Sequence, residues 1–146
     1  MERFVAKVAT QRRHESRSKQ QIIGHHNALL LGVTPAIATM KWPRRSRLLA
    51  VDSSEGMLDA IWPGDEPGVR LARAGNWLTL PVKSGSCTTV IGDCSFNCVA
   101  FPTVVQQLAA SVARVLKEDG VLILRLYVQP ERAHSLEQYF DDLLNG

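Results

Sequence analysis

No stretch of this 146-residue chain reaches the roughly 18 consecutive apolar residues that a membrane-spanning helix needs, and Glu2, Arg3 and Lys7 stand where a secretion signal would be apolar. The expectation is a protein of the cytoplasm with no membrane partner. Cysteine is equally sparse: Cys87, Cys94 and Cys98 cannot all pair, and they lack the paired spacing and nearby histidines of a zinc site. They read as reduced thiols. Aromatic residues make up 6% of the chain, and none interrupts the basic run RRHESRSK from Arg12 to Lys19, so the stacking platforms of a nucleic-acid site are missing there. The run reads as a solvated helix face; its alternative is contact with an acidic or phosphate-bearing partner, nucleic acid included. Acids are nearly absent from the first fifty residues, two against ten Lys and Arg, whereas residues 51–146 carry twelve against seven, so a net charge of +3 conceals an electrically polarised molecule. The tandem His25-His26 has no Cys, Asp or Glu at ligand spacing and reads as a helix-end or loop pair in preference to a metal site.

What is present, 45% hydrophobic and 21% charged residues, suffices for one globular domain with a sizeable core. A polar, helical, basic segment over residues 1–27 precedes it, and the domain proper runs over residues 28–146. Apolar runs alternate with helical patterns. A strand from Ala28 to Leu31 leads to a helix from Pro35 to Lys41, which must stop before Pro43; a strand from Arg47 to Asp52 leads to a helix from Ser53 to Trp62, stopped by Pro63. Strands follow from Val69 to Ala74, Cys87 to Asp93 and Val121 to Val128, with helices from Thr103 to Leu116 and from about Glu131 onward. Strands apolar on both faces and separated by helices predict an α/β fold: a doubly wound, mostly parallel sheet of about five strands with helices on both faces.

In such sheets ligands bind beyond the carboxyl ends of the strands, near the point where strand order reverses. After the first strand stands Gly-Val-Thr-Pro, with Gly32 for a tight turn, Thr34 as a helix cap and Pro35 at the first helical position. After the second stands Asp52, twenty residues beyond Gly32, where a carboxylate can accept hydrogen bonds from a ribose diol. A simple turn for Gly32 and a helix-end charge for Asp52 are the plain structural alternatives.

The later loops narrow the field. Gly75-Asn76-Trp77, Leu80-Pro81, Gly92-Asp93 and the turn Val115-Leu116-Lys117-Glu118-Asp119-Gly120 stand in the order and spacing of a family pattern. Over residues 28–130 the chain resembles the class I, Rossmann-like S-adenosylmethionine-dependent methyltransferases. The resemblance implies that the turn of Gly32, Val33, Thr34 and Ala36 faces the methionine end of the cofactor and that Asp52, beside Ser53, holds the ribose. It further implies Asn76 near the adenine amino group, Trp77 or Met57 against the adenine face, and Asp93 with Cys94 and Ser95 near the sulfonium and the acceptor. Asp93 is the candidate catalytic residue, with His25 and His26 as other candidate bases. The sequence departs from the family in having one glycine in its first loop, Asn76 where an aspartate is common, and an end soon after the fifth strand. The expected activity is methyl transfer to a small-molecule acceptor, with S-adenosylhomocysteine as the other product; a non-catalytic binding or regulatory domain is the alternative. An NAD-dependent oxidoreductase expects G-x-G-x-x-G, where this chain has Gly32, Thr34 and Ile37. The bare fifth strand also predicts a longer polypeptide or a homo-oligomer.

Overall fold

Residues 29–31, 48–51 and 90–91 offer no polar alternate face, so each run needs cover on both sides. The computed structural model, which describes residues 26–128 and 135–145, provides it. Strands β1 (His26–Leu31), β2 (Ser46–Asp52), β3 (Arg70–Ala74), β4 (Cys87–Asp93) and β5 (Leu116–Arg125) form one sheet in the order β3-β2-β1-β4-β5, every pair parallel. The order reverses between β1 and β4, where Leu31 sits beside Gly92. In open α/β sheets the crevice beyond the carboxyl ends at such a reversal is where ligands bind.

Helices α1 (Pro35–Ala38) and α2 (Glu55–Ile61) lie over one face, closing Ala28, Leu30, Leu48 and Ala50 beneath Ala38, Ile37 and Leu58. Trp42 and Trp62 pack against the same cluster. Each tryptophan stands between a helix and the following Pro43 or Pro63, Trp62 directly after α2 and Trp42 four residues beyond α1. Helix α3 (Thr103–Val115) lies on the other face, where Leu108, Val112 and Val115 bury against Leu29, Leu31, Val51 and Val90. No helix joins β3 to β4; a 3-10 turn, Trp77–Thr79, and Leu80 close that side.

Helix α1 ends at Ala38 rather than near Lys41 because the Met40 N–H turns to Ile37 O, three residues back, and the Trp42 indole donates at 3.1 Å to the same carbonyl, which the Lys41 N–H would need to continue the helix. Strand β5 begins early: Leu116 pairs with Cys87, and after Lys117, Glu118, Asp119 and Gly120 bulge out, pairing resumes with Val121 beside Thr89. On the last helix, α4 (Leu136–Asn145), Phe140, Leu143 and Leu144 are exposed. Val121 and Ile123 are likewise exposed on β5. The expected helical segment over residues 1–27 lies outside the described residues up to residue 25; His26 and Asn27 belong to β1.

Candidate functional site

Gly32 leaves β1 at φ +101°, a conformation that side-chain-bearing residues rarely adopt. Its N–H donates to Val51 O at 2.8 Å, and the Trp77 indole N–H donates to the same carbonyl at 2.6 Å. The turn and the tryptophan are thereby fixed to the end of β2. A Cβ on Gly32 would stand 3.8 Å from both Asp52 Oδ2 and Trp77 Cζ2. The missing side chain leaves a slot between a carboxylate and an indole edge.

Asp52 anchors itself through Oδ1, which accepts the Ser54 N–H at 2.9 Å, while Oδ2 faces the slot. Ser54 caps α2 by accepting the Met57 N–H, which holds the exposed Met57 beside this loop. Asn76 uses its side-chain oxygen to cap the 3-10 turn through the Leu78 N–H, at 2.8 Å. Ser53, Asn76, Trp77 and Leu78 face Cys98, Val99 and Val104 across a hollow of about 250 Å³. The structure thus brings Gly32, Asp52, Ser53, Asn76 and Trp77 together. Val33 instead turns into the core under α1, and Ala36 is exposed.

Across the gap, Asp93 ends β4 with a side chain only 9% exposed. Arg125, at the end of β5, chelates it: Nε donates to Oδ1 and Nη2 to Oδ2, the latter at 2.6 Å. Thr34 Oγ1 donates to Oδ2 at 3.2 Å, and Cys94 Sγ to Oδ1 at 3.6 Å. Each oxygen receives two donors, the full capacity of a carboxylate. Thr34 occupies the cap position of α1 but spends its hydroxyl on Asp93, not on the helix. With four residues, α1 also has little dipole to offer, so the positive helix end expected here is slight.

The chain after β4 doubles back over Gly92, whose Cβ would collide with the Ser95 side chain and Leu124, and this fold-back puts Cys94 at φ +59°. His26 is the first residue of β1, so the five steps to Leu31, roughly 17 Å at 3.3 Å each, separate it from the crevice. That distance removes it as a base, and His25 lies outside the described residues. Arg125 was the residue missed: its signal was one charged residue inside the otherwise apolar VLILRLYV. A larger hollow, about 520 Å³, lies at the opposite pole, where Asn27, Arg47, Arg70 and Ser86 surround the amino ends of the strands. Among the described residues there is no cluster suited to a metal ion and no helix long and apolar enough to cross a membrane.

Three comparisons bear on this geometry. The chain matches a family model described as a methyltransferase domain over residues 29–124. It is similar to a chain in the complex between the Haloferax volcanii Trm112 methyltransferase activator and the putative methyltransferase, with TM-score 0.59 and 18% identity over 73% of this chain and 47% of that one. It is similar too to a SAM-dependent methyltransferase from Aquifex aeolicus, TM-score 0.58 and 14% identity, over 82% of this chain and 69% of that one. A putative S-adenosylmethionine-dependent methyltransferase from Listeria monocytogenes gives TM-score 0.56 and 16% identity, with 80% and 62% covered. The chain spans about half the length of the first of these. Comparison with curated proteins gives no match. A parallel sheet in the order β3-β2-β1-β4-β5, a glycine turn and carboxylate at its switch point, and a family match over two thirds of its length together establish that the chain belongs to the methyltransferase domain family.

Proposed function

We propose that this protein binds S-adenosylmethionine in the crevice between β1 and β4 and transfers its methyl group to a small-molecule acceptor. The observation that carries the reading is the meeting of Gly32, Asp52 Oδ2 and the Trp77 indole at the carboxyl end of β1, where a carboxylate able to accept ribose hydroxyls stands beside an indole able to pack against a planar base. Asp52 supplies an acceptor for two hydroxyls, Trp77 an apolar wall for adenine, and Asn76 an amide beside it. The turn of Gly32, Val33, Thr34 and Ala36 holds the methionine end by backbone, and Ser53, Met57 and Cys94 complete the lining.

When bound, the cofactor supplies a methyl on a positively charged sulfur: the acceptor's lone pair forms the new bond to carbon while the carbon–sulfur pair leaves onto sulfur. The chain has then chiefly to align the reactants and exclude water. Asp93, with all its acceptor positions filled, is suited to holding the β1 turn against β4; it takes a proton from the acceptor only if a donor swings away. The free thiols suit a reducing compartment, and we place the protein in the cytoplasm.

The test is quenching of tryptophan fluorescence on titration with S-adenosylhomocysteine and, separately, NAD. Saturable quenching by the first alone is expected. Response to NAD alone would overturn the reading in favour of a nicotinamide enzyme, and turnover with a panel of acceptors then separates an enzyme from a binder.

A further inference from the structure

The Asp93–Arg125 pair has no counterpart among the groups that the ribose and adenine call for. It stands at the switch point itself, where the Thr34 hydroxyl reaches 3.2 Å across the gap from the β1 turn to Asp93. Three segments converge on one nearly buried carboxylate: the turn after β1, the end of β4 and the end of β5. Arg125 keeps 52% of its side chain exposed, and Asp93 is the acid it pairs with. The carboxylate holds this guanidinium protonated still more firmly than usual, first by hydrogen bonding and then by its charge. The cluster is therefore an anion neutralised in place. It is also a ring of directional bonds that fixes Thr34.

A bare carboxylate beside a sulfonium would be a liability for methyl transfer. Positive charge on sulfur is largest in the bound reactant and declines as the carbon–sulfur bond breaks, so a lone anion there stabilises the ground state more than the transition state. Asp93 is needed to join the β1 turn to β4; its charge is not. Arg125 resolves the conflict.

We propose, on the cofactor reading given above, that Arg125 is a positioning residue that cancels the charge of Asp93, so that the crevice holds S-adenosylmethionine by shape and hydrogen bonds instead of by its positive sulfur. The two forms of the cofactor differ by one methyl and one charge. The ratio of their dissociation constants therefore reads the local charge, whereas loosened packing weakens both alike.

The experiment measures dissociation constants of S-adenosylmethionine and S-adenosylhomocysteine by calorimetry for the whole chain and four variants, with circular dichroism to check folding. Arg125→Gln exposes the Asp93 charge and shifts the ratio at least about fivefold toward S-adenosylmethionine, as expected for a cation near an unpaired anion. Asp93→Asn leaves Arg125 unpaired and shifts it the opposite way. Arg125→Lys keeps the charge and stays within about twofold of the parent, and the double variant Asp93→Asn, Arg125→Gln, neutral at both positions, returns the ratio toward the parent value. An unchanged ratio in Arg125→Gln, or one that fails to return in the double variant, overturns the assignment while leaving the cofactor reading intact. If the parent chain binds neither compound, the cofactor reading itself falls and this inference with it. Should Arg125→Gln not fold, the sign of the shift in Asp93→Asn decides alone.

Discussion

Gly32 meets two requirements that no other residue meets together: a backbone at φ +101°, and an empty volume between Asp52 and Trp77. Gly32→Val places a branched side chain in the slot and strains the turn by on the order of 1–3 kcal/mol, so ligand binding falls further than the melting temperature. Intact binding with a lowered melting temperature would show the glycine to be only a turn. Asp52→Ala removes an acceptor of two hydroxyls and costs about 1.5–3 kcal/mol of cofactor affinity without unfolding the domain; equal affinity for S-adenosylhomocysteine in mutant and parent would refute its role. The three thiols differ in environment: Cys98 is exposed, Cys94 half-buried, and Cys87 buried, with burial pushing its pKa up. Alkylation followed by mass spectrometry should modify Cys98 first and Cys87 last. Gly32 and Asp52 were legible in the sequence as positions because the first follows directly on its strand and the second ends its own, and strand ends are what an apolar run marks. The Asp93–Arg125 chelate was not, because its partners are 32 residues apart and meet only through the register that sets Asp93 beside Arg125.

Among the elements, β4 was legible to both ends, since a β-branched run there meets a loop residue on either side. Strand β1 starts two residues earlier than its apolar run, because the Asn27 amide donates to Ser86 O and the Thr88 hydroxyl to Asn27 O, bonds 59 and 61 residues distant that no local pattern carries. Helix α2 depends on its cap: Ser54→Ala should lower stability by about 1 kcal/mol in urea unfolding, for want of the bond to the Met57 N–H. Helix α3 depends on its buried face, and Leu108→Ala, at a wholly buried position, should cost about 2–5 kcal/mol. The edge strand β3 is closed by the loop before it, where Asp65 takes the Ala72 N–H at 2.8 Å and is also bonded by the Trp62 indole and Arg73. These bonds, the Ala72 N–H foremost, hold the Asp65 pKa below 3.8. Between that lowered value and 3.8 the folded protein binds fewer protons than the unfolded chain, so stability rises with pH there, is complete above it, and is lost as acid carries the pH down through the folded value. Asp65→Asn should flatten the stability profile below about pH 4, and a profile unchanged by that substitution would count against the network.

At the scale of the whole molecule the two edges of the sheet differ. The outer side of β3 is closed by Asp65 and by the bridge of Glu66 to Arg70, whereas on β5 the groups of Arg125 and Tyr127 turn inward to Cys94 and Asn97, which by alternation leaves those of Leu122, Leu124 and Leu126 facing outward. Among the described residues no strand pairs with that outer side of β5, and an apolar strand with such an edge and with exposed Val121 and Ile123 invites another chain. The 146-residue chain should therefore self-associate at micromolar concentration in sedimentation velocity; a monomer whose β5 amides resist hydrogen exchange would show that the edge is closed from within. The charge asymmetry along the chain was visible from composition and the carboxyl pole of the sheet was expected from the residues after each strand, but the larger hollow at the amino pole was not, because its lining comes from strand starts that meet only in the folded sheet. The cofactor site proposed above lies at the carboxyl ends, in the crevice between β1 and β4 that continues into the smaller hollow through Ser53, Asn76 and Trp77. Mapping amide chemical shifts in the ¹⁵N-labelled chain during titration with S-adenosylhomocysteine tests it directly: the largest changes should fall at Gly32, Ser53, Trp77 and Cys94, and changes centred on Asn27, Arg47, Gly68 and Ser86 would refute it.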